Sequence, residues 1–513
     1  MLQKLPLGLQ DFAKLRNDNH VYVDKTEIIY NLVTSKSYVF LSRPRRFGKS
    51  LLLSTIKALY EGKKSLFEGL WVEDKWDWEK KHPVLLFSMF EMKGTSEPLS
   101  ISITTAIDTY AEEYGIILKT QNIAQKFKAL LKALSEQHGR VVVLIDEYDK
   151  PMIDYITDEE NLEKNKNVLR DFYGILKDSD PYLEYVMLTG VSKFSKVSIF
   201  SSLNNMIDIT IDKRYGAICG YTQPELKANF MPYFEALAKE NELTIDETFA
   251  KTKIMYNGYF WAGKETLYSP FSTLWLLDKR IFSNFWFGSG RPKFIVDLLK
   301  KDMKFDFKGI MVNLDFLENS AIESLNSTAV MFQTGYLTIT DADVLNDCYT
   351  LDYPNQEVRV SMLSALLLSY SQQPLDKELT IMHGFQNALR ANDLDALFEE
   401  INALFGTIPY EIFLAKQEAY FHSIIYLVFS LLGYRVKSEV SVHKGRIDLV
   451  LETETHTYII EFKVDKSAEI ALQQIKNRNY YTAFLNKGKQ VVIVGANLNS
   501  ETKGVDEWLA EDV

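Results

Sequence analysis

Cysteine is nearly missing from this chain: Cys219 and Cys348 are the only two in 513 residues, with no CxxC pair and no Cys/His cluster. That excludes a disulfide scaffold and a cysteine-based zinc site, and it suits a reducing compartment. Long apolar runs are missing as well. The longest strongly apolar stretch, Ile424 to Tyr434, is too short to span a bilayer. The opening MLQKLPLGLQDFAKLR holds no continuous apolar segment of the secretory kind. A soluble cytoplasmic protein with no membrane partner is therefore expected. With 13 prolines and no Gly/Ser-rich run there is no obvious flexible linker, and no repeat at solenoid periods occurs. Positive charge is not in excess either, since 58 Lys and Arg against 69 Asp and Glu give a formal net charge of −11. This argues against non-specific coating of nucleic acid but leaves room for a local basic channel.

What remains is ordinary globular composition, 46% apolar and 25% charged, in a chain long enough for roughly three domains of ~150 residues. Residues 1–215 alternate short apolar strands with helical or mixed sequence. Ser37–Leu41, Val84–Ser88, Val141–Ile145 and Tyr185–Thr189 read as strands buried on both faces of a parallel sheet. Residues 216–408 read as mostly helical and rich in aromatics, with one late strand-like piece, Gly335–Thr340. A helical lid and a winged-helix module both fit that pattern. From 409 to 513 the rhythm becomes α-β-β-β-α-β: a helix Lys416–Leu432, strands Arg435–Val442, Arg446–Glu452 and Thr457–Val464, a helix Ser467–Leu485 and a strand Gln490–Val494. The fold class expected is α/β, with a parallel P-loop-type sheet first and a small α/β domain last.

The strand SYVFL runs into LSRPRRFGKS and then into the helical LLLSTIKALYEG. A strand, a tight loop ending Gly48-Lys49-Ser50 and a helix are what a P-loop requires. Backbone N–H groups and the helix N-terminus hold phosphates, Lys49 neutralises the β/γ oxygens, and the Ser50 hydroxyl can ligate Mg²⁺. The candidate nucleotide-binding stretch is Arg46, Phe47, Gly48, Lys49, Ser50 and Leu51. One position departs from G-x-x-x-x-G-K-[ST]: Arg43 stands where the first glycine belongs. Gly-Lys-Ser alone also fits a basic loop capping a helix, so context decides. The apolar strand VVVLI ends in Asp146-Glu147, the pair that in P-loop enzymes holds Mg²⁺ and orients or deprotonates the attacking water. A further strand ends in Thr189-Gly190-Val191-Ser192. There the hydroxyls of Thr189 and Ser192 could sense the γ-phosphate, or could simply close a turn.

The stretch from DFAKLRNDNHVYVDKTEIIYNL through RPRRFGKS, the LIDEYD box, the TGVSKFSK segment, and the turns Cys219-Gly220-Tyr221-Thr222 and Asn257-Gly258-Tyr259 resemble the bacterial AAA-ATPase-like family. The resemblance covers most of residues 1–340. It implies that Arg43 is the family's normal state and that the fold lies within the AAA and STAND-like P-loop ATPases. It also sets the Tyr22–Thr26 box (YVDKT) beside the nucleotide without assigning it any chemistry.

Near the C-terminus three charges interrupt apolar strands: Asp448 in GRIDLVLE, and Glu461 and Lys463 in YIIEFKVD. Charges inside strands are costly unless they pair or bind a metal. A hairpin turning at Glu454-Thr455 puts Asp448 opposite Glu461, with Lys463 on the same face because side chains alternate. Two carboxylates and an ammonium then converge, as needed to hold a hard divalent cation and a hydrolytic water. A cross-strand ion pair is the plainer alternative. With Glu418 on the helix before and Gln473-Gln474 on the helix after, the D-x(12)-E-x-K pattern resembles the PD-(D/E)XK nuclease superfamily, in the group fused to this ATPase-like domain. That resemblance implies that Asp448 and Glu461 hold Mg²⁺ or Mn²⁺. It further implies that Lys463 positions water and stabilises charge on the phosphorane, Glu418 supports the metal shell, and Gln474 orients water or substrate. His422, one turn from Glu418, reads either as a site contact or as an ordinary helix histidine. Lys476, Arg478 and Lys487 near Tyr480 and Tyr481 read equally as a nucleic-acid track or a solvated face.

The expectation is an ATP-binding and ATP-hydrolysing protein with a metal-dependent nuclease domain acting on nucleic acid. Its alternatives are a STAND-like regulatory ATPase whose C-terminal domain binds without cutting, and a non-hydrolysing nucleotide-gated scaffold. Oligomeric state, and the choice between DNA and RNA, are not written in these residues.

Overall fold

The computed structural model describes the chain apart from residues 1, 93–96, 121, 157, 193–204, 262, 287–292, 303–306, 308, 319–325, 372–377, 407–416, 433–434, 443–444, 486–487 and 503. The side chains of 293, 300–301, 318, 370–371, 378–381, 417–423, 435–442 and 445–446 are likewise outside the description. Contacts divide the chain into two units, residues 1–288 with 307–358, and residues 289–306 with 359–513.

The first unit is built on five parallel strands: β1 (Tyr38–Ser42), β2 (Val84–Ser88), β3 (Val141–Asp146), β4 (Leu183–Gly190) and β5 (Ile207–Asp208), in the order β2-β3-β4-β1-β5. The strands β1 and β3 are buried along their whole length, which explains why they read as unbroken apolar runs instead of alternating ones. Parallel pairing makes the strands finish on one edge. The partners Ser42↔Gly190 and Ser88↔Asp146 put the ends of β1, β4, β2 and β3 together there, and ligands of open α/β sheets bind outside such carboxyl ends.

Helices Gln223–Glu240 and Ile245–Tyr256 each begin with a complete capping box, Thr222 with Glu225 and Thr244 with Glu247. With the helix Pro270–Lys279 they enclose a core of Leu226, Phe230, Phe234, Phe249, Tyr256 and Leu276, into which Val21 and Val23 from the N-terminal segment also pack. A small antiparallel sheet follows, with β6 (Ile310–Val312), β7 (Thr338–Asp343) and β8 (Cys348–Asp352) ordered β6-β8-β7. Two short helices, Leu314–Glu318 and Ser327–Gln333, stand between β6 and β7. The late strand-like piece in the sequence corresponds to β7.

In the second unit a mixed sheet is ordered β13-β12-β11-β10-β9, from β9 (Arg435–Val442), β10 (Gly445–Glu452), β11 (His456–Val464), β12 (Gln490–Asn499) and β13 (Gly504–Asp512). The helix Ala468–Arg478 is shorter than its sequence suggests, because Asn479 turns the chain at φ 50° and a 3₁₀ turn, Tyr480–Ala483, follows. Strand β13 was not legible as a strand. As an edge strand it exposes Asp506, Glu507 and Asp512, so it lacks the apolar run that marks an inner one. Asn402 covers part of that edge, its side chain donating to Val505 O at 2.8 Å and accepting from Val505 N at 2.7 Å.

Glu357 carries a testable cost of the first unit. It is fully buried, and its Oε1 accepts backbone N–H bonds from Phe285 at 2.5 Å and Trp286 at 2.9 Å. Burial pushes its pKa up to about 7, against the backbone bonds from Phe285 and Trp286 that lower it. The folded state therefore binds this proton more tightly than the unfolded chain, so stability falls as pH rises from about 4.5 to about 7. Glu357→Gln keeps the acceptor and removes the charge. It should stabilise by on the order of 2–3 kcal/mol at pH 8 and by little at pH 4.5. Thermal unfolding at both pH values checks this, and an equal shift at both would show that the charge is not the cause.

Candidate functional site

The loop between β1 and the helix Lys49–Tyr60 wraps around its own lysine. Gly48 occupies the N-cap at φ 97°, a conformation that a side chain at this position would strain. Lys49 is buried, and its Nζ donates to the carbonyls of Arg43 and Pro44, both at 2.9 Å. Burial lowers its pKa, opposed by the charges of Asp146, Glu147 and Asp149. The Ser50 hydroxyl donates to Asp146 Oδ2 at 2.5 Å, and the Thr189 hydroxyl donates to Asp146 Oδ1 at 2.6 Å. The sheet thus brings Lys49, Ser50, Asp146 and Thr189 to one place. Glu147 follows at φ 51° with its N–H on Asp146 Oδ1 at 3.0 Å. Among the described residues its buried Oε2 accepts no hydrogen bond, and burial raises its pKa, with the Lys49 charge opposing and those of Asp146 and Asp149 adding.

Other residues of the stretch build the loop. Arg43 is fully buried, with Nη1 donating to Ser42 O and Thr210 O at 2.8 Å and its guanidinium 4.3 Å from the Trp261 ring centroid. Longer contacts from Nη2 reach the carbonyls of Tyr215 at 3.5 Å and Gly216 at 3.4 Å. Burial lowers its pKa to about 10, so it remains a cation. Phe47 is also fully buried, edge-on to Tyr259 and Trp261 with centroids 4.9 Å away. A Cβ on Gly220 would come within 2.6 Å of the Phe47 ring, so the turn there needs glycine for close approach. The two aromatic-rich turns at 219–222 and 257–259 therefore form the socket of the loop. Arg46 lies 3.9 Å from the Phe271 ring centroid, and half-buried Leu51 continues the helix.

Two further sequence candidates make bonds within the protein. The Ser192 hydroxyl is buried and donates to Asp149 at 2.6 Å, which commits it to a neighbour within the protein; residues 193–200 of that segment lie outside the described residues. The Tyr22–Thr26 box has mainly joining bonds. Asp24 accepts from Thr26 and from Trp71 N, and Lys25 pairs with Glu225 at 2.6 Å.

In the second unit the hairpin of β10 and β11 turns at Glu454-Thr455, with Leu449 paired to Ile460. Continuing that register puts Asp448 opposite Glu461, and Asp448 Oδ2 accepts the Phe462 N–H at 2.9 Å. Glu461 is almost wholly buried. Its Oε1 accepts from Lys463 Nζ at 2.8 Å and from the Gln474 side chain, while its buried Oε2 accepts no hydrogen bond among the described residues. Burial, then the nearby Asp448 charge, pushes its pKa up to about 7 in spite of Lys463. Asp448, Glu461, Lys463 and Gln474 are thus together, whereas Gln473 turns away to Glu469. The side chains of Glu418 and His422, and Lys487 altogether, lie outside the described residues. Of the basic cluster, Lys476 pairs with Glu511 at 2.6 Å and Arg478 donates to the Tyr480 hydroxyl at 2.8 Å.

Both donor sets suit a hard divalent cation: carboxylates with a hydroxyl in one, two carboxylates in the other, and an orphaned buried carboxylate oxygen in each. Among the described residues, no group of three or more His, Cys, Asp or Glu poised to hold a metal occurs, and no helix is long and apolar enough to cross a membrane.

A P-loop ATPase-like unit and a nuclease-superfamily unit are therefore the classes that this chain combines. Residues 6–200 match the family described as predicted AAA-ATPase (AAA-ATPase-like), and residues 416–508 match the PD-(D/E)XK nuclease superfamily. The chain belongs to the AAA-ATPase-like family, in which its P-loop unit is fused to a C-terminal PD-(D/E)XK domain. Along its whole length it is 37% identical over 524 residues to an uncharacterized protein in the vnfD 5' region of Azotobacter chroococcum mcd 1, covering 100% of this chain and 99% of that protein. A solved structure, the Aeropyrum pernix ORC1 protein in complex with DNA, aligns with 69% of this chain and 94% of its own at 12% identity, and its TM-score of 0.25 carries no argument.

Restoring the missing loop glycine should harm the protein. Arg43→Gly removes a buried side chain and leaves carbonyls without donors, a loss of on the order of 3 kcal/mol or more. A lower midpoint in thermal unfolding is expected. An unchanged midpoint with tighter ATP binding would show that the arginine is dispensable.

Proposed function

We propose that this chain is a cytoplasmic ATPase of bacterial type that controls a metal-dependent phosphodiesterase acting on nucleic acid. The observation that carries the reading is common to both units: each keeps a buried carboxylate oxygen that has no donor among the described residues, beside a second carboxylate and a lysine. In the first unit Arg46, Phe47, Gly48, Lys49, Ser50 and Leu51 form the phosphate loop. Lys49 exchanges its loop carbonyls for the β/γ-phosphate oxygens. Ser50 and Asp146 would hold Mg²⁺ in the first unit, and Asp448 and Glu461 would hold Mg²⁺ or Mn²⁺ in the second; when bound, the cation neutralises phosphate charge.

Glu147 orients water toward the γ-phosphorus. The water oxygen bonds to phosphorus as the bond to the β–γ bridging oxygen breaks, ADP departs with that electron pair, and the water proton passes to Glu147. Thr189 holds Asp146, and Ser192 acts through Asp149. In the second unit Lys463 orients water and stabilises negative charge on the phosphorane, while Gln474 fixes Glu461. The water oxygen bonds to phosphorus as one ester P–O bond breaks, the leaving oxygen keeps that electron pair and takes up a proton, and a phosphomonoester and a hydroxyl result. Glu418, on the preceding helix, would add a carboxylate.

The test is incubation of the purified chain with single- and double-stranded DNA and RNA, with and without ATP and Mn²⁺. Lys49→Ala should abolish ATP binding, and Glu147→Gln should retain binding but slow phosphate release by 10²-fold or more. Asp448→Ala and Lys463→Ala should abolish cleavage and leave ATP binding intact. Cleavage undiminished in Asp448→Ala would sink the nuclease assignment. Binding without any cleavage by wild type would instead favour the regulatory alternative.

Proton competition gives a separate check on the second site. Below about pH 7 the Glu461 carboxyl is protonated, and a cation must displace that proton. Stabilisation by Mn²⁺ in thermal unfolding should therefore grow between pH 6 and pH 8 and vanish in Asp448→Ala. A pH-independent shift would place the cation elsewhere.

A further inference from the structure

Resting on the ATPase reading above, we propose that Asp149 is a positioning residue for ATP hydrolysis, locking the loop that carries Glu147 to the end of β4 that carries Thr189. Its carboxylate is almost wholly buried and accepts three donors from two successive residues: Val191 N at 3.1 Å, Ser192 N at 2.7 Å and the Ser192 hydroxyl at 2.6 Å. Burying a carboxylate is costly, and three donors offset that cost only while the Val191–Ser192 backbone keeps this conformation. The carboxylate thus works as a template for the segment after β4.

The same segment is bonded on every side. Gly190 O accepts the Arg43 N–H at 3.2 Å, Val191 O accepts the Ser42 hydroxyl at 2.8 Å, and Ser192 O accepts the Tyr148 hydroxyl at 2.8 Å. Tyr148 N donates to Thr189 O at 2.9 Å. Residues 189–192 therefore join the entry of the phosphate loop to the turn Glu147–Asp149. Glu147 needs this support because it sits at φ 51°, where a non-glycine residue is held only by its surroundings. Two residues after Glu147, Asp149 anchors the far end of that turn, while Asp146, bonded to Ser50 and Thr189, anchors the near end. A small displacement of such a water-orienting group slows chemistry far more than it weakens substrate binding.

The inference is tested on the full-length chain with Asp149→Asn, Ser192→Ala and the double variant. ATP affinity, phosphate-release rate and thermal midpoint are measured for each. Asp149→Asn should bind ATP within about threefold of wild type while kcat falls on the order of 30- to 100-fold. Ser192→Ala should lose less. Because Ser192 acts through Asp149, the double variant should be no slower than Asp149→Asn alone. A kcat near wild type in Asp149→Asn overturns the inference. So does loss of affinity and thermal midpoint in proportion to rate, which marks a purely structural role, and so do independent effects that multiply. Should Asp149→Asn fail to fold, Ser192→Ala carries the test through the same split between kcat and affinity. Wild-type protein that releases no phosphate would defeat the ATPase reading and the inference together, and that result is distinct from every variant-specific outcome.

Discussion

The first unit is organised around a buried cation, the Arg43 guanidinium, whose hydrogen bonds among the described residues go to carbonyl oxygens, with the Asp208 charge near enough to favour it. The Arg43 guanidinium is compensated by carbonyl oxygens of Ser42, Thr210, Tyr215 and Gly216 and by the face of Trp261. Neutral dipoles stabilise a buried charge only when several point at it from fixed positions, so the segments that supply them must be held in place. The stretch after β5, the loop after β1 and the aromatic turn at Trp261 are bound together for that reason. Where a glycine would let the loop pass freely, arginine makes the loop a structural joint. Phe47 completes the joint by inserting between Tyr259, Trp261 and the turn at Gly220.

This explains how the motif's departure from the usual pattern is compatible with the nucleotide site proposed for it. The phosphate cradle proposed here would depend on Gly48, on Lys49 and on the helix N-terminus, and the loop sets Gly48 at that N-cap. The position of the first glycine governs how the loop leaves its strand. A buried guanidinium can set that path as firmly as glycine's freedom can, at the cost of requiring a larger surrounding shell. The helical and aromatic residues that follow the sheet serve as that shell, which ties residues far along the chain to the loop near its start.

Legibility in the sequence follows the range of the interactions involved. The inner strands of both sheets were readable because burial on both faces leaves continuous apolar runs, and the hairpin register at Asp448 and Glu461 was readable because alternation along strands is strictly local. Strand β13 escaped notice because its exposed face carries acids and Asn402, about a hundred residues away in sequence, supplies part of its pairing. Arg43's partners, the Lys25–Glu225 pair and the Asp149–Ser192 bonds span separations that no periodicity encodes. Asp149 did leave a trace, as a third acid in LIDEYDK directly after an apolar strand, but nothing local distinguishes a buried acid from a solvated one there.

The two candidate sites apply one electrostatic rule through different folds. In each, one carboxylate is held by donors from a neighbouring element: Asp146 by Ser50 and Thr189, and Asp448 by the Phe462 N–H. The other, Glu147 or Glu461, is desolvated until its proton affinity rises. A lysine moderates that rise without cancelling it. Asp146 and Asp448 are thereby fixed as acceptors, while Glu147 and Glu461 each retain a buried oxygen that accepts no hydrogen bond among the described residues. Environments that divide paired carboxylates in this way are how acid–base and metal chemistry are assigned to particular residues. In the parallel sheet the division is produced where strand ends converge. In the hairpin it is produced by cross-strand register, with Gln474 on the covering helix holding the more buried partner.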